Sequence, residues 1–212
     1  MADVDGTIDA ENAADRPRVF GIGLNKTATT SFHEALTILG YRSLHGGLSD
    51  GPEIERAVLR AHDAGLSLLS YLDQSIDAFS DLGVLSRRFR LLDQQYPGSH
   101  FVLTVRPIEA WIDSRRRHVE RNLQLKAKGE YDGTFLVIDE EKWRREWNDH
   151  TGRVHAYFDG RDDFLEIDIT ATPSWGPFCQ LLGVEEPEGP FPWENRDKVR
   201  SGVGGEAPPR GS

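Results

Sequence analysis

Short apolar segments alternate with helical patterns along most of this chain, and that alternation restricts its fold more than any other feature. The apolar segments are short and rich in β-forming residues, which is typical of buried strands. They are residues 19–24, 41–44, 75–80, 101–105 and 164–169. Strands that alternate with helices form parallel sheets covered by helices on both faces. The sequence therefore predicts an α/β protein with three layers, α/β/α, around a central parallel sheet.

Apolar residues at helical spacing occupy the stretches between these segments. The predicted helices are residues 30–39, 53–64, 84–95, 108–128, 140–158 and 175–182. In open parallel sheets, ligands bind beyond the carboxyl ends of the strands. Functional residues are therefore expected directly after four strand ends. These ends are Leu24, Leu44, Ser80 and Val105.

A chain of 212 residues has the length of one ordinary domain. The first fifteen residues carry five acidic residues and no base, without apolar periodicity, so residues 1–16 are interpreted as a disordered acidic tail. The last residues are rich in Gly, Pro and small polar side chains, which indicates a flexible tail at residues 200–212. One domain is expected between them, at residues 17–199.

Charge and cysteine content exclude several classes of protein. A net charge of -10 is the wrong sign for a protein that coats nucleic acid or an acidic membrane. The single cysteine, Cys179, excludes an internal disulfide framework and a cysteine-based zinc cluster. No stretch approaches the roughly 20 apolar residues of a membrane span, and the N-terminus lacks a secretory signal pattern. A soluble, cytoplasmic protein without a metal site is the resulting expectation.

The loop after the first strand has the composition of an anion-binding turn. Small residues let the backbone wrap around a ligand, and N–H groups at the start of a helix suit phosphate oxygens. The alternative is a helix with a threonine cap beside a solvated lysine. A Walker loop does not fit, because it requires glycine immediately before the lysine. The candidate ligand-binding residues are Asn25, Lys26, Thr27, Ala28, Thr29, Thr30 and Ser31.

The order of these residues resembles the 5′-phosphosulfate loop of the sulfotransferases that use 3′-phosphoadenosine-5′-phosphosulfate (PAPS). That family commonly shows Lys-x-Gly-Thr-[Ser/Thr]-Ser, and Ala28 stands where glycine is usual. The family's second signature is a strand that ends in Arg, with Ser eight residues later, and both hold the 3′-phosphate. Arg106 and Ser114 match it at the junction between the clearest strand and the next helix.

The resemblance extends over residues 18–196 and implies a P-loop-NTPase-like sulfotransferase fold. Residues 96–100 read Tyr-Pro-Gly-Ser-His, which is similar to a turn common in bacterial sulfotransferases. Residues 164–195 are similar to the C-terminal part of the same group. Residues 200–205 faintly resemble a further 3′-phosphate loop, and a flexible tail is the alternative interpretation there.

The resemblance implies transfer of a sulfuryl group from PAPS to a hydroxyl of a small-molecule or glycan acceptor, with 3′-phosphoadenosine-5′-phosphate (PAP) as the product. Lys26 would neutralise the charge that develops on the departing phosphate. The acceptor must lose a proton, and His45 and Asp81 are the two candidate bases. His45 is slightly preferred because an ordinary histidine has a pKa near neutrality. The scheme requires no metal, and the resemblance does not give an oligomeric state.

Two other functions remain open at the level of sequence. One is a PAP- or PAPS-binding protein with weak catalysis, and the other is a P-loop kinase. The helix at residues 108–128 also carries a basic run, which is either a solvated face or an attractant for the anionic donor or an acidic acceptor. Its members are Arg115, Arg116, Arg117, Arg121, Lys126 and Lys128. Four tryptophans are expected in the core or an interface: Trp111, Trp143, Trp147 and Trp175.

Overall fold

In a computed structural model, residues 16–193 of the chain are described, and these contain five strands that form one sheet. Every neighbouring pair of strands is parallel, and their spatial order is β2-β3-β1-β4-β5. The strands are β1 (Val19–Gly21), β2 (Ser43–His45), β3 (Ala78–Ser80), β4 (His100–Thr104) and β5 (Phe164–Ile167). The predicted parallel sheet is confirmed, with strands shorter than the apolar segments because the chain leaves the ladder early to form loops.

Seven helices connect and cover the described strands. They are α1 (Thr29–Ile38), α2 (Gly51–Asp63), α3 (Gly83–Ser86), α4 (Phe89–Gln95), α5 (Ile108–Ala127), α6 (Glu140–Phe158) and α7 (Gly176–Leu182). The single helix predicted at residues 84–95 is wrong, because the chain forms α3 and α4 instead. Arg88, with φ −108° and ψ 25°, leaves the helical conformation between them.

The two faces of the sheet carry different parts of the core. Phe20, Phe79 and Phe101 lie on one face, where the ring of Phe20 stacks on each of the other two at 5.5 Å between centroids. Helices α2, α3, α4 and α6 cover this face. Val19 and Val102 point to the opposite face, where α1 and α7 pack. The predicted three layers are therefore present.

The chain leaves β1 and β4 in opposite directions along the sheet. From β1 it passes β3 to reach β2, whereas from β4 it moves outward to β5. Such a switch point opens a crevice beyond the carboxyl ends of the strands, and this is where ligands bind in open α/β sheets. The loop after β1 and the residue after β4 border this crevice, as do the ends of the neighbouring strands.

Gly23 allows the loop after β1 to approach β4 closely. A Cβ atom there would lie 2.5 Å from the Thr104 carbonyl oxygen and 2.9 Å from its nitrogen, so the backbone of β4 would have to move. We expect Gly23→Ala to lower the free energy of unfolding by about 1–3 kcal/mol in urea titrations. Gly152→Ala in α6 is the control, because a Cβ there meets nothing within 4 Å. It should stabilise the protein by up to about 1 kcal/mol. Equal changes in the free energy of unfolding for the two variants would contradict the close approach of Gly23 to β4.

The predicted tails lie outside the described residues, except for Arg16. Its Nε donates a hydrogen bond to Asp77 Oδ2 at 2.6 Å, and its guanidinium lies 3.9 Å from the centre of the Tyr41 ring. Arg16, the last residue of the predicted tail, therefore contacts the domain. The possible 3′-phosphate loop at residues 200–205 is also outside the described part.

Candidate active site

The loop between β1 and α1 is held in place through its carbonyl groups. The carbonyl oxygens of residues 22–26 each accept a hydrogen bond from a side chain. In the order of the acceptors, the donors are His150, Ser86, Thr27, Trp111 and Arg106, at distances between 2.6 and 3.3 Å. In a trans peptide the N–H points away from the carbonyl. The amides of residues 23–27 therefore point away from these anchoring side chains.

The first turn of α1 continues this row of amides, because the first N–H groups of a helix have no acceptor within the helix. Successive outward-pointing amides form a concavity that suits an anion. The helix dipole adds partial positive charge at the same place. The geometry of the loop can therefore bind a phosphate or sulfate group.

Three residues near this concavity have an unusual backbone conformation. Among the described residues, the non-glycine residues with positive φ are Lys26 (70°), Ala28 (63°) and Asp81 (54°). A left-handed conformation costs a residue with a Cβ roughly 1–2 kcal/mol. Glycine, which lacks a Cβ, would adopt the conformation of Ala28 without this cost. Such strain concentrates at functional sites, where the surrounding structure maintains it.

The hydroxyl groups of the loop have different surroundings. The Thr27 hydroxyl is buried, donates to the Leu24 carbonyl and shares a hydrogen bond of 2.7 Å with the Thr104 hydroxyl. Its role is therefore to stabilise the loop, and its backbone amide is the part available to a ligand. Ser31 is buried in α1, whereas Thr30 is half-buried in the first turn.

Arg106 lies two residues after the end of β4 and contacts the loop after β1. Its Nη1 donates to the Lys26 carbonyl oxygen at 3.1 Å, while its Nε is buried without a hydrogen-bond partner among the described residues. Burial lowers the pKa of the guanidinium, and the nearby Asp168 carboxylate opposes this. Ser114 is half-buried in the second turn of α5. Both residues stand on elements that border the crevice, and an orphaned guanidinium nitrogen fits an anionic ligand.

His45, at the end of β2, is 3% exposed and has both ring nitrogens engaged. Nδ1 accepts a hydrogen bond from the Gly47 amide at 3.0 Å, and Nε2 lies 3.2 Å from the Thr29 hydroxyl. Burial, together with the nearby His33 ring, lowers the pKa of His45 to about 4. The expectation of a pKa near neutrality is therefore wrong. Because Nδ1 accepts, the neutral ring carries its proton on Nε2.

Asp81 follows β3, and its Oδ2 lies 3.8 Å from His45 Nε2. Burial raises the pKa of Asp81 to about 6, although Lys26 and a hydrogen bond from the Thr29 hydroxyl lower it. Its Oδ1 is buried and has no hydrogen-bond partner among the described residues. A carboxylate with a pKa near neutrality, close to a lysine, has the properties of a general base.

Comparison with known proteins identifies the family. The model of a family described as "Sulfotransferase domain" matches residues 18–128 and 125–199. The chain belongs to the sulfotransferase family. The match includes both the loop after β1 and the junction between β4 and α5. No protein with a curated description matches the sequence significantly.

Helix α5 of this sulfotransferase contributes residues that sequence analysis did not assign to the site. Arg115 is 7% exposed, and its Nη1 donates to Asn25 Oδ1 at 3.2 Å. Its guanidinium lies 4.6 Å from the Trp111 ring centre and 5.0 Å from that of Trp143. Burial, together with the positive charge of Lys26, lowers the pKa of His118 to about 4.

The basic run on α5 is thus not one continuous surface. Arg115 supports the loop, and Arg116 forms ion pairs with Asp113 and Glu140. The remaining members of the run are exposed: Arg117, Arg121, Lys126 and Lys128. The four tryptophans are buried, as expected. The helical period of 3.6 residues places Arg115 and the exposed basic residues on different faces of α5. Since residues four apart lie on one face of a helix, the spacing between Trp111 and Arg115 could have indicated from sequence that Arg115 is buried beside Trp111.

Other parts of the sulfotransferase lie away from this site. The turn at residues 96–100 precedes β4, at the opposite edge of the sheet, where the Ser99 hydroxyl donates to the Tyr96 carbonyl oxygen at 2.7 Å. Within residues 16–193, no group of three or more His, Cys, Asp or Glu side chains is arranged to hold a metal. None of the helices in that range has the length and apolar character needed to cross a membrane.

Proposed function

We propose that this sulfotransferase moves a sulfuryl group from PAPS to a hydroxyl of a small molecule and releases PAP. The observation that carries the proposal is the loop after β1, where the carbonyls of residues 22–26 are each anchored by a side chain so that the following amides point the other way. Such a loop is suited to the 5′ end of the donor, where charge develops during transfer.

The donor would be held at its two ends by different elements. The amides of the loop and of the first turn of α1 would bind the 5′-phosphosulfate, with Thr29 and Thr30 at the start of the helix. Arg106 and Ser114 would bind the 3′-phosphate, since a guanidinium fork matches phosphate oxygens. Lys26 would offset the negative charge that develops on the phosphate oxygen as its bond to sulfur breaks.

The acceptor oxygen would attack sulfur in line with the departing phosphate, and its proton would pass to Asp81. The raised pKa of Asp81 lets it hold this proton near neutral pH. His45 is less suited, because its Nδ1 already accepts the Gly47 amide and its Nε2 carries a proton. We assign His45 the role of a positioning residue that keeps Thr29 and the Asp81 carboxylate in place.

A phosphate-transferring enzyme is the second candidate, because Asp81 stands at the end of β3 beside the loop, where an acidic residue could hold a Mg²⁺ ion. The loop argues for the first candidate, since the residue before Lys26 is Asn25 and a Walker loop requires glycine there. A protein that binds PAP without turnover has the same loop and differs only in rate.

The test is incubation with PAPS and a panel of phenols and alcohols, followed by chromatography and mass spectrometry. We expect PAP to form in proportion to one acceptor, which gains the mass of a sulfuryl group. ATP with Mg²⁺ should give no acceptor-dependent ADP. PAP binding without turnover on any acceptor would instead indicate the binding protein, and phosphorylation of an acceptor would indicate the kinase.

A further inference from the structure

A cavity of about 680 Å³ lies between α6 and the irregular segment that precedes it. Its volume is in the range of sites that bind small molecules. The segment at residues 134–137 contributes one wall, and α6 contributes the other. Arg87, after α3, and Arg115, on α5, line the remaining side.

The cavity adjoins the loop that is proposed to hold the donor. Arg115 lines the cavity and donates to the Asn25 side chain at 3.2 Å, and Asn25 immediately precedes Lys26. Glu146 joins the two arginines, with 2.5 Å to Arg87 Nη2 and 3.4 Å to Arg115 Nη1. A molecule in contact with Arg115 would therefore lie near Asn25, one residue before Lys26 in the donor loop.

The charges that line the cavity do not balance. Both carboxylates are engaged within the protein: Glu146 pairs with the two arginines, and Asp139 caps α6 by accepting from the Lys142 amide at 2.9 Å. The Lys142 ammonium forms no ion pair with any residue of the described range. Positive charge therefore exceeds negative charge at this wall, which favours an anionic group on the occupant.

The rest of the lining is apolar. The rings of Phe135 and Trp143 pack on each other with 5.9 Å between their centres, and Leu136 and Val137 extend this wall. Val137 is 69% exposed, so this apolar surface continues to the rim of the cavity. Apolar surface of this kind is stabilised by a hydrophobic body, whereas a neutral sugar would cover it with hydroxyl groups that lose water.

We infer that this cavity binds the acceptor, and that the acceptor is a small hydroxylated acid. Its hydrophobic body would pack against Phe135, Leu136 and Val137, and its anionic group would lie near Lys142 and Arg87. Its hydroxyl would then point toward the donor loop. The inference rests on the proposed function for the hydroxyl group and for the occupant being an acceptor, while the hydrophobic body and the anionic group follow from the lining.

The test measures binding, so that it does not depend on turnover. Calorimetric titrations in the presence of PAP would compare hydroxylated acids, aromatic and aliphatic, with their primary amides, which differ only in the anionic group. The panel begins with para-hydroxybenzoate and para-hydroxyphenylacetate and extends to longer chains. We expect at least one acid to bind about fivefold or more tightly than its amide, as one or two partly exposed charge contacts allow.

Lys142→Met should reduce this preference by at least about half, because it removes the charge and keeps the length of the side chain. Lys128→Met, at the end of α5 and away from the cavity, should leave it unchanged. If PAP binds but no acid does, or acids and amides bind equally, the inference is overturned, while the donor binding that the proposed function requires is retained. If acids bind in this way but PAP does not, the ligand class stands and the proposed function fails.

Discussion

Replacing Lys26 with alanine should lower kcat for sulfuryl transfer by about 10²–10³-fold, because it removes the group that offsets charge on the departing phosphate. A left-handed backbone is strained for both residues, so the substitution should not change the strain of the loop. We therefore expect the melting temperature to fall only through the lost attraction between Lys26 and the Asp81 carboxylate. The measurement is single-turnover kinetics at saturating PAPS, with Tm recorded for the same preparation.

Lys126→Ala is the matched control, because Lys126 is exposed near the end of α5. It should leave kcat unchanged. A Lys26→Ala variant that keeps wild-type kcat and only weakens donor binding would contradict the role of Lys26 in stabilising the transition state.

Asp81→Asn should lower kcat by about 10²–10⁴-fold, the contribution typical of a general base. In the wild type, kcat should rise with pH through about 6, because the raised pKa of Asp81 sets the point at which its carboxylate becomes able to accept a proton. This rise should disappear in the variant. His45→Gln should retain more activity than Asp81→Asn and keep the rise. The reverse ranking would identify His45 as the base.

Asp81→Asn should also increase the stability of the folded protein above pH 6. The pKa of Asp81 is raised from 3.8 to about 6 in the folded protein, so the folded state binds a proton more readily than the unfolded state. Folding stability therefore falls as pH rises from about 4 to about 6. Asp81→Asn, which is neutral at every pH, should raise Tm at pH 8 and have a smaller effect at pH 4. Increased stability with lost activity would identify a residue kept for function.

The order of strands and helices could be predicted from sequence because apolar periodicity is local. Once the strands were located, the loop after β1 and Arg106 could be placed at one edge of the sheet, because parallel strands bring their carboxyl ends together. The separation of α3 from α4 could not, because no proline or glycine marks the break at Arg88. Its cause lies in how the two short helices pack.

The electrostatics of the site also depend on contacts that sequence does not show. The tautomer of His45 follows from the position of the Gly47 amide, and the pKa of Asp81 follows from its burial. The surroundings of Arg115 come from residues 135, 143 and 146, which are distant in sequence and reach it only through the packing of α6 against α5. Each of these is a property of the folded arrangement.

The most direct test of the central claim is a calorimetric titration of the wild type with PAP, beside a titration with ATP and Mg²⁺. We expect micromolar binding of PAP and much weaker binding of ATP. Arg106→Ala should weaken PAP binding by at least about tenfold, because it removes a charge-assisted contact to phosphate. Arg121→Ala, an exposed arginine on α5, should not. Binding of ATP alone, or PAP binding that is indifferent to Arg106, would contradict the account.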